Sequence, residues 1–341
     1  MAIKYLLPEN GNFYKANLHA HSNLSDGRLS PAEMKAAYKE RGYSVLCITD
    51  HELLINHADL NDPDFLMLTG YELSVNEPAD PRGWLFTKTC PMNFYSPRQE
   101  YTKYVCFSPD HYNDHMRESL NEADIPEETY KRTYTPECIT EMVRMAHEAG
   151  FLCSYNHPDW SLETDAQYLK YKGFDMMELH NHGCAVVGLD EDNAWVYDQM
   201  LRAGRRLAAS ATDDNHNGPP IDHPQTGSFG GYVWIKAPSL DYEDIWNALR
   251  YGDFYACTGG PEIRSLTLED GVVTLKCAPA RQISMQTARR IAPSVRGTDD
   301  APVTEFSYEL TGEEEYIRFT VTGTDGHRSQ TRAYFIDELG L

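Results

Sequence analysis

Basic residues are scarce in this chain of 341 residues: 30 Lys and Arg stand against 52 Asp and Glu, a formal net charge of −22. Proteins hold nucleic acids and anionic membrane surfaces mainly through Lys and Arg, so the shortage argues against both partners. The first residues form a short apolar stretch that Pro8 interrupts, with neither a membrane span nor a secretory cleavage site. We therefore expect a cytoplasmic protein that binds no membrane and no long nucleic acid.

Several motifs with known chemistry are also missing. The eight cysteines include no C-x-x-C pair and lie partly in apolar stretches, which favours core residues over a disulfide framework. The glycine pairs lack the surroundings of a nucleotide-binding loop, and no G-x-S-x-G sequence marks a serine nucleophile. The composition, 41% apolar and 24% charged, is that of an ordinary soluble globular protein.

A unit of capped helix, glycine and apolar strand recurs through the first three-quarters of the chain. Residues 30–33, Ser-Pro-Ala-Glu, are typical of a helix start, and Gly42 is typical of its end. The strand that follows leads into Asp50-His51, and the same order recurs before residues 156–158 and 212–216. This alternation predicts parallel α/β construction, with polar residues collected at the carboxyl ends of the strands.

The pattern changes after residue 260, where short alternating runs are separated by turn residues. Such runs predict a small antiparallel β domain. We therefore predict two domains, residues 1–260 and 261–341.

Residues 94–134 contain six tyrosines and few clear helical or strand periods. A long insertion on the active-site side of a barrel often acts as a lid or a specificity wall. A packed surface loop without substrate contact is the alternative.

Histidines are concentrated in the larger predicted domain, since twelve of the thirteen precede residue 224. His19 and His21 are two residues apart, so in an extended segment both imidazoles face one side and can converge on an ion. Asp26 can reach back to the same region. Similar side chains follow the other strands, namely His51, Glu72, His157, Asp214 and His216. Imidazoles and carboxylates suit divalent cations, and a carboxylate can bridge two of them.

Five stretches in this order, NLHAHSNLSDG, CITDHE, GYELS, YNHP and TDDNH, together resemble the PHP (polymerase and histidinol phosphatase) superfamily of metal-dependent phosphoesterases. The resemblance implies a distorted seven-stranded β/α barrel, here in a two-domain form with a C-terminal β domain. It also implies a first ion among His19, His21, Glu72 and Asp214. Glu72 would bridge to a second ion at His157, and a third ion would lie among Asp26, His51 and His216.

The sequence departs from the family at one place. After the glutamate motif, PHP proteins usually supply another histidine to the second ion, whereas residues 88–95 contain none. The candidate replacements are Cys90 as a thiolate, His180 or His182, and His111 or His115. A weak or empty second site is the alternative.

Other polar residues are candidates for supporting roles. The Asp-x-His spacing of the family selects Asp214 with His216, which leaves Asp213 as a neighbour that supports the ligands. Glu178 and Asn181 could line the pocket or lie on its rim. Arg28 and Lys88 are candidate phosphate contacts, with plain surface charge as the alternative.

These observations predict a metal-dependent hydrolase of a small phosphate ester. Two or three divalent ions of zinc, manganese or iron would bind the phosphoryl oxygens, and a hydroxide between them would attack phosphorus. No side chain is identified as the general acid. A PHP scaffold that is weakly active or inactive and serves as a binding or structural module is the alternative, and hydrolysis of a carbon ester or amide is a third reading. The sequence assigns no oligomeric state.

Overall fold

The computed structural model describes residues 3–190 and 192–340. Its helices are α1 (Pro31–Glu40), α2 (Asp114–Arg117), α3 (Pro136–Glu148), α4 (Asp165–Tyr168), α5 (His182–Val186), α6 (Ala194–Arg202), α7 (Tyr242–Tyr251) and α8 (Ile336–Leu339). Its strands are β1 (Lys4–Tyr5), β2 (Asn12–Asn17), β3 (Val45–Ile48), β4 (Leu66–Asn76), β5 (Thr89–Tyr95), β6 (Leu152–Tyr155), β7 (Met176–Asn181), β8 (Ala208–Thr212), β9 (Tyr232–Ala237), β10 (Phe254–Cys257), β11 (Ile263–Glu269), β12 (Val272–Ala280), β13 (Gln282–Thr287), β14 (Ser294–Arg296), β15 (Val303–Glu309), β16 (Tyr316–Thr322), β17 (Arg328–Thr331) and β18 (Tyr334–Phe335). None of the helices in these ranges has the length and apolarity needed to span a bilayer.

The local helix signals are confirmed. Ser30 caps α1 in a capping box with Glu33, and Gly42 follows the helix with a φ of +75°. α3 buries the four apolar positions expected of it, Ile139, Met142, Val143 and Ala146. All eight cysteines are free and seven are buried, as expected of core residues.

Strands β2 to β8 lie side by side in chain order, and β9 flanks β2 on its other edge. The pairs among β2, β3 and β4 are parallel, as are those among β6, β7 and β8. β5 runs antiparallel to both of its neighbours and β9 runs antiparallel to β2, so the expectation of parallel construction was wrong at these two strands. β8 and β9 pack together, and Gly231 permits this because a Cβ there would lie 2.1 Å from the carbonyl oxygen of Thr212. The fold is mixed α/β, and the seven-stranded barrel stays a prediction.

The C-terminal strands form an antiparallel β region around a core of their own. β1, β11, β12 and β15 make a four-stranded sheet, while β13, β14, β16 and β17 continue the large sheet beyond β10. Two ladders, β1 with β11 and β10 with β17, connect segments on opposite sides of residue 260. The division into residues 1–260 and 261–341 stays a prediction.

Candidate metal centre

The polar residues predicted from the strand ends do meet at one end of the sheet. The loops after β2, β3, β6 and β8 carry seven of them there, whereas Glu72 lies within β4 and does not follow a strand as expected. Isolated parallel bridges join Ala20 to Asn215 and His51 to Glu72, which holds these segments in register. The structure thus brings all eight predicted ligand residues together; their role as ligands stays a prediction.

The centre of the cluster is formed by His19, His21, Glu72 and Asp214. The Nε2 atom of His19 lies 3.1 Å from His21 Nε2, 3.4 Å from Glu72 Oε1 and 3.2 Å from Asp214 Oδ1. The Nε2 atom of His21 lies 3.0 Å from Asp214 Oδ1 and 3.4 Å from Glu72 Oε2. Two imidazole nitrogens and two carboxylates therefore point at one small volume.

The chemistry of these donors fits a divalent cation. Burial opposes a positive charge on His19, but the carboxylates of Asp214, Glu72 and Glu178 outweigh it and raise its pKa well above the ordinary value. Surroundings that favour a proton so strongly favour a metal ion too. The Nδ1 atom of His21 is also buried and makes no hydrogen bond within the described residues. Both observations indicate a positive group among these side chains.

His157 extends the cluster on one side of Glu72. Its Nε2 atom lies 3.5 Å from Glu72 Oε1 and 3.5 Å from Asp214 Oδ2. Burial lowers the pKa of His157, but these two carboxylates and Glu178 raise it to about 9 overall. Oε1 of Glu72 thus faces His19 and His157, whereas its Oε2 atom faces His21 and, at 3.0 Å, His51. Such a carboxylate is placed to bridge two ions.

Asp26, His51 and His216 form the open side of the cluster. Asp26 Oδ2 lies 3.5 Å from His51 Nε2, and Asp26 Oδ1 lies 3.4 Å from His216 Nε2. Burial works to raise the pKa of Asp26, but the two histidines hold it well below the usual range. The side chains of Asp26 and His51 are 52% and 38% exposed, so this group lies at the mouth of the site.

Asp213 lies behind the cluster. Its carboxylate accepts the backbone N–H groups of Phe229, Gly230 and Gly231 and the hydroxyl of Tyr38, at 2.6–3.0 Å. It therefore holds the segment before β9 against the end of β8, next to Asp214.

Glu178, which the sequence left undecided between pocket and rim, is fully buried and orients two of the candidate ligand residues, His19 and His157. Its Oε1 atom accepts the Nδ1–H group of His19 at 2.6 Å and the Thr212 hydroxyl at 2.7 Å. Its Oε2 atom accepts the backbone N–H of His157 at 3.1 Å and the amide of Asn181 at 2.9 Å. A carboxylate on Nδ1 directs Nε2 of His19 toward the cluster and raises its basicity. His19 and Glu178 are 159 positions apart in the sequence, so no local pattern could predict their contact.

We expect Glu178→Gln to weaken binding of divalent metal about 10- to 100-fold, because such supporting carboxylates contribute this much to metal affinity. Titration of metal-free protein with Mn²⁺ or Zn²⁺ measures the effect. Glu40→Gln is the control, since Glu40 has a side chain 80% exposed on the surface. An unchanged affinity in Glu178→Gln would contradict the orienting role.

Several other candidate residues lie outside the cluster of the eight predicted ligand residues. Cys90 is in the hydrophobic core, where burial raises the pKa of its thiol well above the ordinary value. The ring of His182 lies against Gly230. Lys88 is paired through its backbone with Glu77, and its charge acts on Glu163. Arg28 is exposed. It lies near the mouth of the site, since its backbone N–H donates to the carbonyl of His216 at 3.0 Å.

The insertion 94–134 packs into the main core and contacts two loops of the site. His115 Nε2 lies 2.8 Å from the carbonyl oxygen of Asn23, two residues after His21. Arg132 forms a bidentate ion pair with Glu52, the residue after His51. The insertion is therefore part of the frame of the site; a role as lid or specificity wall stays a prediction.

No family model matches this chain. A 5'-3' exoribonuclease from Haemophilus influenzae is 36% identical over 66 residues, and this match spans 18% of the chain and only 24% of the curated relative. Among solved structures, the chain is similar to a two-domain protein from Bacteroides vulgatus that contains a predicted PHP-like metal-dependent phosphoesterase, with a TM-score of 0.43, 14% identity and coverage of 97% of this chain and 98% of that one.

Two further solved structures resemble most of the chain. A candidate metal-dependent phosphoesterase from Bifidobacterium adolescentis gives a TM-score of 0.38 at 15% identity, covering 64% of this chain and 93% of that one. An amidohydrolase from Chromobacterium violaceum, with bound sulfate and no metal, gives a TM-score of 0.38 at 16% identity, covering 70% of this chain and 96% of that one.

Proposed function

We propose that this protein is a metal-dependent hydrolase that acts on a small phosphate ester. The observation that carries the proposal is the geometry of three ligand groups, in each of which the donor atoms lie within 4.8 Å of one another. The groups are His21, Asp26, His51 and His216; His19, His21 and Glu72; and His19, His157 and Asp214. Because His19 and His21 each belong to two of the groups, the three groups adjoin one another, an arrangement that suits phosphoryl transfer at a multi-metal site.

When bound, divalent ions supply Lewis acidity that stabilises charge on phosphoryl oxygens and lowers the pKa of water. The residues of the chain would hold these ions and orient the ligand side chains. Glu72 presents one oxygen to each side of the cluster, Glu178 fixes the ring of His19, and Asp213 fixes the segment before β9. Asp26, His51 and His216 leave the mouth open to solvent, so a substrate reaches the ligand groups from that side.

The charge of the molecule restricts the substrate. A net charge of −22 repels long nucleic acids, whereas a small phosphate compound meets the local positive charge of bound ions. The exposed Arg28 is the candidate side chain for a phosphate contact at the mouth. Part of the chain is similar to a 5'-3' exoribonuclease, so nucleotides and short oligonucleotides belong among the substrates to test.

The test is to remove metal with a chelator, restore Mn²⁺ or Zn²⁺, and assay phosphomonoesters, cyclic phosphodiesters, nucleotides and dinucleotides beside a carboxylic ester and an amide. We expect metal-dependent turnover of a phosphate ester, with loss of metal and of at least about 100-fold in rate in His19→Ala. His327→Ala, at an exposed position in the C-terminal β region, is the matched control.

Three results would contradict the proposal in different ways. Unchanged metal content in His19→Ala would contradict the assignment of the metal centre itself. Stoichiometric metal without turnover would favour a binding module. Turnover of the carbon ester or amide alone would support a hydrolase but contradict a phosphate ester as its substrate.

A further inference from the structure

The strand register places an asparagine directly beside the bridging glutamate. In the antiparallel pair of β4 and β5, Asn93 stands opposite Glu72. Side chains of directly paired residues lie on the same face, with Cβ atoms about 5 Å apart. Asn93 is completely buried. It therefore faces the same interior volume as Glu72, next to the group that contains His157.

The same register removes Cys90 from this volume. Cys90 pairs with Val75, three residues beyond Glu72 along β4. Successive residues of a strand alternate between faces, so Val75 and Cys90 lie on the face opposite to Glu72 and Asn93. Residue 93 is thus the position of β5 that faces the cluster, and its side chain is the amide of an asparagine.

Hydrogen bonds define which way the Asn93 amide points. The hydroxyl of Tyr95 donates its proton to the carbonyl of Leu18 at 3.1 Å, so its oxygen accepts from Asn93 Nδ2 at 3.4 Å. This leaves the Oδ1 atom of Asn93, which is buried and has no hydrogen-bond partner among the described residues. Burying a carbonyl oxygen without a partner is unfavourable, and most buried polar atoms are hydrogen-bonded, so a partner is expected.

A second amide oxygen lies near by. Asn156, the residue before His157, is completely buried and donates Nδ2 to Glu72 Oε1 at 3.0 Å. Because a carboxylate only accepts, this contact also defines the amide orientation. The Oδ1 atom of Asn156 likewise has no hydrogen-bond partner in the described part of the chain. Two unpartnered carbonyl oxygens thus belong to residues next to Glu72 and His157.

We propose that Asn93 Oδ1 is a ligand of the ion held between Glu72 and His157, and that this oxygen favours a hard divalent ion, manganese or magnesium, at this position more than an imidazole there would. Carbonyl and carboxylate oxygens suit these hard ions, whereas imidazole nitrogens suit zinc. With Asn93 added, imidazoles make up half of the group of His19, His157 and Asp214, compared with two-thirds and three-quarters in the other two ligand groups. The inference rests on the proposed metal centre and adds the identity of one ligand and of its ion.

The experiment measures bound metal directly. Metal-free protein is dialysed against Mn²⁺ in large excess over Zn²⁺, because zinc binds most N/O sites more tightly. The retained metals are counted by mass spectrometry, and a melting curve checks that each variant is folded. We expect both metals in the native protein, and loss of about one equivalent of manganese with zinc retained in Asn93→Leu, which removes a hard oxygen ligand. In Asn93→His the same equivalent should change from manganese to zinc.

Met92→Leu is the matched control, since Met92 is buried on the same strand but pairs with Leu73 on the other face. Its metal content should equal that of the native protein. Zinc alone in the native protein, or full manganese in Asn93→Leu or Asn93→His, overturns the inference while the metal centre stands. Absence of metal from the native protein contradicts the proposed function itself.

Discussion

Glu72→Gln should leave a folded protein that has lost most of its bound metal and at least about 100-fold of its hydrolytic rate, because one charged carboxylate serves both sides of the cluster. Burial works to raise the pKa of Glu72, but His19 and His51 hold it well below the ordinary range, so the group is ionised. Glutamine keeps the shape and removes this charge. Metal analysis and the phosphoester assay measure the two effects.

Glu163→Gln is a matched control for this substitution. Glu163 is also a buried glutamate, but its carboxylate accepts the hydroxyls of Tyr134, Tyr155 and Tyr171 and belongs to none of the three ligand groups. Burial raises its pKa, so a neutral amide is tolerated there better than at residue 72. Equal metal loss in both variants, or full metal in Glu72→Gln, would contradict the bridging role.

Arg132→Met should lower the free energy of unfolding by about 3–5 kcal/mol, because it leaves the carboxylate of Glu52 buried without its partner. Arg132 Nη1 and Nη2 lie 2.5 and 2.7 Å from the two oxygens of Glu52, and the two side chains are 2% and 5% exposed. Arg132 also donates to the carbonyl oxygens of Cys106 and Ser74, which would lose their donor. Denaturant unfolding measures the change.

The ion pair also supports the site. Glu52 has a φ of +61°, in the left-handed region, and its carbonyl accepts the hydroxyl of Tyr112 at 2.6 Å. Arg132 and Tyr112 both belong to the insertion 94–134, so they hold the backbone that carries His51. We therefore expect Arg132→Met to weaken metal binding at the Asp26, His51 and His216 group as well.

Two further variants make this prediction specific. Arg132→Met combined with Glu52→Gln should recover part of the lost stability, since no unpaired charge stays buried. Arg82→Met breaks the exposed pair with Asp80, where the arginine side chain is 66% exposed, and should change stability by less than about 1 kcal/mol. A loss in Arg132→Met no larger than in Arg82→Met would contradict the argument.

Much of the candidate site could be predicted from the sequence because its signals are local. His19 and His21 are two residues apart, as are Asp214 and His216, and short spacings of this kind survive in any extended segment. The start of α1 is equally local, since the capping box lies within residues 30–33. The sequence by itself therefore determined the helix ends, the alternating β/α pattern and the eight residues that meet in the cluster.

Tertiary structure decided which distant residues support them. Glu178 reaches His19 across 159 positions, and Arg132 reaches Glu52 across 80. The antiparallel placement of β5, which puts Asn93 rather than Cys90 beside Glu72, depends on strand pairing. Capping and periodicity are encoded within a few neighbouring residues, whereas register and buried polar contacts depend on how remote segments pack. The eight candidate ligand residues could thus be read from the chain, while their orientation and the position of Asn93 opposite Glu72 emerged only from the fold.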